Sequence, residues 1–344
     1  MKKILFCGGG SAGHVTPNIA IIEDVKKYYD VCYAGTDGIE KDICKQNGVE
    51  FYQFKTEKFV RGKFFCNLLL PIKLFRSVSS VKKLLIEIKP NLVFCKGGYV
   101  CVPVAMAARK LKIPVITHES DIAAGLANKF ISRYCKTVLT AFPSTANAFY
   151  NGKFVGTPMR SSLFNRSKIE AKKYFGFDMR PTVLFFGGGS GSKIINENLI
   201  KIIKELCTEV NVLHITGKQF SFNQKIHGYK KISYCEDMGL AYACADMAVA
   251  RCGANSAAEL TALKIPTLFI PLENKRSRGD QVKNAEYFKT LGTCKVLAES
   301  ELNSTALKNS IYEVLYSDNI KKALNSINFK SANAKIIYEI EKNI

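Results

Sequence analysis

A chain of 344 residues is long enough for two α/β domains, each with its own core. Mean hydropathy is near zero and no apolar run approaches the roughly 18 residues that cross a bilayer, which excludes a helical span; with no signal peptide ahead of the first strand, the sequence predicts a cytosolic chain. Fifty Lys and Arg against 29 Asp and Glu give a formal charge of +21, which implies an acidic partner (a nucleotide, nucleic acid or an anionic membrane surface) or a lysine-rich soluble surface.

The stretch KKILFCGGGSAGHVTP at 2–17 sets the plan. The apolar run at 4–7 reads as a short buried strand, cut off by three glycines. Thr16 suits an N-cap and Pro17 a first helical position, which predicts a helix over roughly 17–29. Strand, glycine turn and helix N-terminus bring backbone N–H groups and the positive end of a helix dipole to one point, where an anion or an oxygen-rich ligand can sit. The lone His14 points at it. Gly8-x-Gly10-x-x-Gly13 also satisfies the dinucleotide fingerprint, with Asp37 near the expected ribose-binding acid. That fingerprint needs the helix to begin inside the glycines, and Thr16-Pro17 places the start downstream, against a dehydrogenase.

A strand at 31–34, a helix at 38–46 and a strand at 49–54 follow, an alternation that predicts a parallel, doubly wound sheet. Residues 55–83 break the rhythm. Phe59, Phe64, Phe65, Leu68, Ile72, Leu74 and Phe75 crowd in with Lys58, Arg61, Lys63, Lys73, Arg76, Lys82 and Lys83. The segment reads either as a core helix with a solvated basic face or as a membrane-surface patch. A strand at 92–95 leads into a glycine turn, 96–99, and a helix at 102–111. A strand at 115–117 then delivers His118, Glu119, Ser120 and Asp121 at its carboxyl end, where open α/β sheets hold ligands. A helix near 125–133 and a strand at 137–140 complete the first sheet, and 156–160 (GTPMR) crosses into the second domain.

The second half repeats the device: a strand at 182–186, a glycine turn at 187–192 and a helix at 193–206. Strands at 211–215, near 231–234, at 247–250 and at 267–270 follow. Residues 251–256 open a helix carrying Glu259. A charged loop at 273–279 precedes a helix begun by Asp280 and Gln281, and the remainder is helical and polar.

His14 is either a structural hydrogen-bond bridge or a catalytic base; its loop at the sheet edge favours catalysis. Glu119 and Asp121 share that edge and can assist a base or bind sugar hydroxyls, or, for Asp121, cap a helix. His214 and His227 lie far from these positions, so no metal-ligand spacing is visible. Ser190 has no nucleophile-elbow context and reads as a phosphate donor. The twelve cysteines are scattered without a C-x-x-C pair, as buried free thiols are.

Taken in order, GGGSAGHVTPNIA (8–20), KGGYVCVPVAMAA (96–108), HESDIAAGLANK (118–129), GTPMR (156–160), FFGGGSGSKIIN (185–196), RCGANSAAELTALKIPTLFIP (251–271) and RGDQVKNA (278–285) resemble the MurG family of peptidoglycan glycosyltransferases. HESD stands where many members have HEQN, GTPMR replaces GNP-x-R, and Ser11 replaces a usual Thr. The resemblance implies a GT-B fold, two Rossmann-like doubly wound parallel-sheet domains facing across a cleft. An acceptor- and membrane-binding domain would span 1–158 and a UDP-sugar-binding domain 159–344, with the last helix a candidate to pack back on the first.

It further implies an inverting transfer of N-acetylglucosamine from UDP-N-acetylglucosamine to the 4-hydroxyl of the muramyl sugar of undecaprenyl-pyrophosphoryl-muramyl-pentapeptide. The product serves peptidoglycan synthesis and cell-wall biogenesis. No cofactor, metal or nucleic acid takes part, and the protein lies on the cytoplasmic face of the cell membrane. Arg160, Ser190 and the 187–189 turn match diphosphate contacts, and Glu259 matches the group that takes the ribose hydroxyls. The helix from Ala254, with Asn255 and Ser256, points its N-terminus at the nucleotide. Gln281 matches a sugar contact, and the backbone around Cys235 would read the uracil. Ser11, Ala12, Gly13 and His14 would close over the sugar and admit the acceptor, with His14, Glu119 and Asp121 as candidate catalytic groups. Leaving-group charge can be met by helix dipoles, N–H groups and Arg160, so no metal is required in principle. Two rivals stay open: another GT-B enzyme, such as a glycolipid synthase or a UDP-N-acetylglucosamine epimerase, and a non-catalytic sugar-nucleotide-binding protein of the membrane surface.

Overall fold

The computed structural model describes residues 1–57, 70–273 and 279–344. Residues 58–69 of the basic aromatic segment, Arg61 and Lys63 among them, and 274–278 of the charged loop lie outside these. The chain forms two compact units, Met1–Arg160 with Ser331–Ile344, and Ser161–Lys330.

The first unit is built on a parallel sheet of β1 (Lys3–Cys7), β2 (Asp30–Gly35), β3 (Glu50–Gln53), β4 (Leu92–Cys95), β5 (Val115–Glu119), β6 (Thr137–Thr140) and β7 (Gly152–Phe154), in the order β3-β2-β1-β4-β5-β6-β7. Residues 4–7 of β1 and the whole of β4 read as unbroken apolar runs because both faces are covered, as parallel sheets require. Alternation along β1 divides the core. Ile4 and Phe6 pack with Val15, Ile19 and Ile22 of the helix Ala12–Val25 and with Ile336 and Ile340 of the helix Asn333–Asn343. Leu5 and Cys7 meet Val78, Val81 and Leu85 of the helix Leu70–Ile88 and Val104 of the helix Cys101–Lys110. Asn333 fastens the last helix, its Nδ2 donating to the carbonyls of Ala20 and Met159 at 3.1 Å each.

The second unit holds β8 (Thr182–Phe186), β9 (Asn211–Ile215), β10 (Tyr229–Ile232), β11 (Met247–Ala250), β12 (Thr267–Phe269) and β13 (Cys294–Val296), all parallel, in the order β10-β9-β8-β11-β12-β13. Its core joins Val183 and Phe185 to Leu199, Ile203 and Leu206 of the helix Lys193–Glu209, and to Leu307, Ile311 and Val314 of the helix Ser304–Leu315.

Several sequence expectations shift. The first helix begins at Ala12 rather than 17, with extended Ser11 as its cap, and Pro17 lies inside it. A buried network holds that tight turn. Asn18 Nδ2 donates to the Cys7 carbonyl and to the Tyr33 hydroxyl (3.1 Å each), and Tyr33 donates to the Gly8 carbonyl (2.8 Å). The helix thus starts inside the glycines, and the ground on which the dinucleotide fingerprint was set aside does not stand. β10 lies at Tyr229–Ile232 rather than 231–234, registered on β9 with Tyr229 opposite Val212. The three-residue edge strands β7 and β13 are additions. Among the described residues the cysteines are free thiols, buried except for half-buried Cys235, and no helix is long and apolar enough to cross a membrane.

Candidate active site

In each unit the strand order reverses once, between β1 and β4 and between β8 and β11. Loops leaving the carboxyl ends of two such strands diverge, and the crevice between them is where a doubly wound sheet takes a ligand. His14 stands at the first of these places, and Ser190 with the 254–256 turn at the second.

At the first, Gly8 to Ser11 leaves β1 and His14 stands in the opening turn of the helix Ala12–Val25. His14 Nδ1 lies 3.1 Å from the Gly9 carbonyl and 3.1 Å from Ser11 Oγ. A carbonyl only accepts, so Nδ1 carries the proton and Nε2 keeps its lone pair. The 96–99 loop from β4 lies against this ring. A Cβ on Gly98, whose φ is +82°, would stand 2.9 Å from the Gly9 carbonyl and 3.2 Å from His14 Nδ1, so only glycine fits. The anion position offered by the glycine turn is already filled. The fully buried Glu40 carboxylate accepts from the N–H groups of Thr36 (3.0 Å) and Gly10 (3.4 Å). A dinucleotide pyrophosphate there would have to displace that carboxylate, which speaks against a dehydrogenase.

β5 ends in His118 and Glu119, followed by Ser120 and Asp121. Glu119 is buried and accepts from Asp121 N (3.0 Å), Gly125 N (2.8 Å) and Asn128 Nδ2 (2.9 Å). Its carboxylate therefore shapes the 119–125 loop; the Gly9 carbonyl, not Glu119, orients His14. Asp121 sits half-buried at the tip of that loop. Sequence reading passed over Lys96, which is 1% exposed and donates from Nζ to His118 Nδ1 (2.8 Å) and to Ser120 Oγ. His118 Nε2 donates to the Gly156 carbonyl at 2.8 Å. Burial, reinforced by the Lys96 charge, holds His118 well below the usual imidazole range, so it is neutral. A cation ending a fully buried strand was the available signal. Arg160 closes the first unit, its Nε 3.7 Å from Glu23 Oε1 and without a hydrogen bond among the described residues.

At the second reversal, residues 187–192 leave β8. Gly191 (φ +76°) presses on β9, since a Cβ there would lie 2.0 Å from the Thr216 carbonyl, whereas Gly188 and Gly189 border open space. Ser190 is exposed on that rim, and buried Ser192 Oγ at the head of the helix Lys193–Glu209 has no hydrogen-bond partner among the described residues. Facing it from β11, Ala254, Asn255 and Ser256 form the first turn of the helix Ala254–Ala262, behind an extended Gly253. Glu259 lies one turn along and accepts at Oε2 from the buried Tyr242 hydroxyl (2.9 Å). Burial and the Glu259 charge push that phenol up, so it remains a donor. Tyr242 also escaped the sequence reading; an aromatic in an apolar helix looks like core.

Gln281, in the helix Asp280–Thr290, accepts from Leu272 N (3.0 Å) just beyond β12. Cys235 is half-buried after β10, its thiol pushed up to about 11 by burial. Buried Arg251 fixes the ends of β11 and β12 together, donating to the carbonyls of Ile270 (3.0 Å) and Pro271 (3.2 Å) and pairing with Glu299.

Residues 4–140 match the glycosyltransferase family 28 N-terminal domain and 182–340 the family's C-terminal domain. The chain is 41% identical over 337 residues to the UDP-N-acetylglucosamine--N-acetylmuramyl-(pentapeptide) pyrophosphoryl-undecaprenol N-acetylglucosamine transferase of Clostridium botulinum (strain Hall), covering 94% of this chain and 95% of that one. To the transferase of the same name from Clostridium tetani it is 40% identical over 352 residues, 99% and 98% of the two chains. Among solved structures it is similar to Acinetobacter baumannii MurG, with a TM-score of 0.76 at 26% identity over 99% of this chain and 100% of that one. It also shares its fold with UDP-GlcNAc 2-epimerase from Neisseria meningitidis, TM-score 0.70 at 15% identity over 100% of both chains. The two parallel-sheet units match the GT-B fold that the motifs imply. The chain belongs to glycosyltransferase family 28, and within it to the MurG family whose motifs it carries.

Proposed function

We propose that this protein transfers N-acetylglucosamine from UDP-N-acetylglucosamine to the 4-hydroxyl of the muramyl sugar of an undecaprenyl-pyrophosphoryl-muramyl-pentapeptide. The observation that carries the reading is the near-full-length identity to transferases of that name. The acceptor oxygen forms a bond to the anomeric carbon as the bond to the diphosphate breaks. UDP leaves with the electron pair, and the hydroxyl proton passes to His14 Nε2, the ring nitrogen that keeps a lone pair. Glu259, held by Tyr242, takes the ribose hydroxyls. Ser190, the N–H groups of 254–256 and Arg160 meet the diphosphate charge, which grows in the transition state. Gln281 contacts the sugar, and the backbone around Cys235 the uracil. Ser11, Ala12 and Gly13 border the acceptor, and Asp121 reaches its hydroxyls from the loop that Glu119 shapes.

The test is the product. Incubation with a muramyl-lipid acceptor yields a disaccharide linked at the 4-position with the donor's anomeric configuration inverted, read by NMR. Retained configuration, or transfer to water, would overturn the reading.

An acceptor carried on a lipid would put the reaction at a membrane surface, and the proposed face is the cytoplasmic one. The exposed end of the helix Leu70–Ile88 supports this, with Ile72 55% and Phe75 68% exposed beside Lys73 and Arg76. Lys110 Nζ lies 5.8 Å over the Phe75 ring. Changing Ile72 and Phe75 to Ser together with Lys73 and Arg76 to Gln lowers binding to anionic vesicles. The two charges account for about 1 kcal/mol each, a share that salt removes. Vesicle binding indifferent to these changes and to salt would make the face ordinary solvated surface.

A further inference from the structure

Lys96 lies between the two loops to which the acceptor chemistry has been assigned. Its backbone N–H donates to the Cys7 carbonyl (2.8 Å), the last residue before the glycine turn that carries His14. Its ammonium group donates to His118 Nδ1 and Ser120 Oγ at the root of the loop that carries Asp121. Through His118 it also reaches the Gly156 carbonyl, where the 156–160 segment begins. A fully buried cation is costly unless its charge is met by hydrogen bonds, as the Lys96 ammonium is by His118 and Ser120.

We propose that Lys96 is a positioning residue for the transfer: its backbone is paired to the end of β1, where the His14 loop begins, and its ammonium ties the Ser120–Asp121 loop to that same point. The inference rests on the reading that these loops serve the acceptor. The groups facing the ammonium are His118 and Ser120 at bonding distance, the carboxylates of Glu119 and Asp121 from the same loop, and the Cys101 thiol from the helix Cys101–Lys110. Burial lowers Lys96 to about 8, with the two carboxylates opposing that shift. The ammonium is therefore present below pH 8 and lost above it, and the charge-assisted bonds to His118 and Ser120 weaken with it.

The experiment measures kcat against pH with a fixed muramyl-lipid acceptor, and donor affinity by calorimetry, for the natural protein, Lys96→Met and Ser120→Ala. The natural protein loses turnover as pH rises through about 8. Lys96→Met lowers the plateau by about 10- to 100-fold, the effect of a small misplacement of reacting groups. It has no such alkaline limb, and donor affinity moves less than about 2-fold because Ser190, the 254–256 turn and Glu259 lie on other elements. Ser120→Ala, a mild change that guards against failure of Lys96→Met to fold, removes a partner of the ammonium and moves the limb to lower pH. The proposal is overturned by a Lys96→Met enzyme with natural turnover or an unchanged alkaline limb, or by a Ser120→Ala limb that stays in place. A natural protein without transfer would overturn the functional reading itself, and it is recognised without any variant.

Discussion

His14→Ala lowers turnover by about 10²- to 10⁴-fold, the usual worth of a positioned general base, and leaves donor affinity nearly unchanged. The geometry specifies the role. Nδ1 is committed to the Gly9 carbonyl and to Ser11, so Nε2 is the nitrogen offered to a substrate. Ser190, the 254–256 turn and Glu259, all assigned to the nucleotide, follow β8 and β11 at the other strand reversal. Single-turnover rates and calorimetric donor affinity separate the outcomes. Near-normal turnover refutes the base role. An equal loss of affinity and turnover makes His14 a binding residue and moves the search for the base to Asp121.

Glu259→Ala has the second large effect. Two ribose hydroxyls lose a charged acceptor, at a cost of about 1.5–3 kcal/mol, or roughly 10- to 150-fold in donor affinity. The same change also removes the carboxylate to which the buried Tyr242 hydroxyl donates. Glu259→Gln keeps an acceptor for Tyr242 and separates the two losses: affinity still falls, while thermal stability stays closer to that of the natural protein. Unchanged donor affinity in both variants would remove Glu259 from the site.

Much of this was legible because glycine turns at the ends of apolar runs have few uses. The runs at 4–7, 92–95 and 182–186 became central strands, and the loops after them carry the candidate residues. Short edge strands were not legible. Gly152–Phe154 and Cys294–Val296 are three residues each, too brief for a period to show. Thr16-Pro17 misled because a good N-cap pair can be overridden by tertiary bonds, here those of Asn18 and Tyr33. Glu40 and Lys96 were invisible for a common reason: charged residues read as solvent-facing, and only the fold shows that both are buried against the glycine turns.

The central claim is tested most directly by UDP release from UDP-N-acetylglucosamine with and without a muramyl-lipid acceptor. The account predicts release that depends on the acceptor and saturates with it. Release without acceptor, as an epimerase or hydrolase would give, or tight donor binding with no release at all, would contradict it.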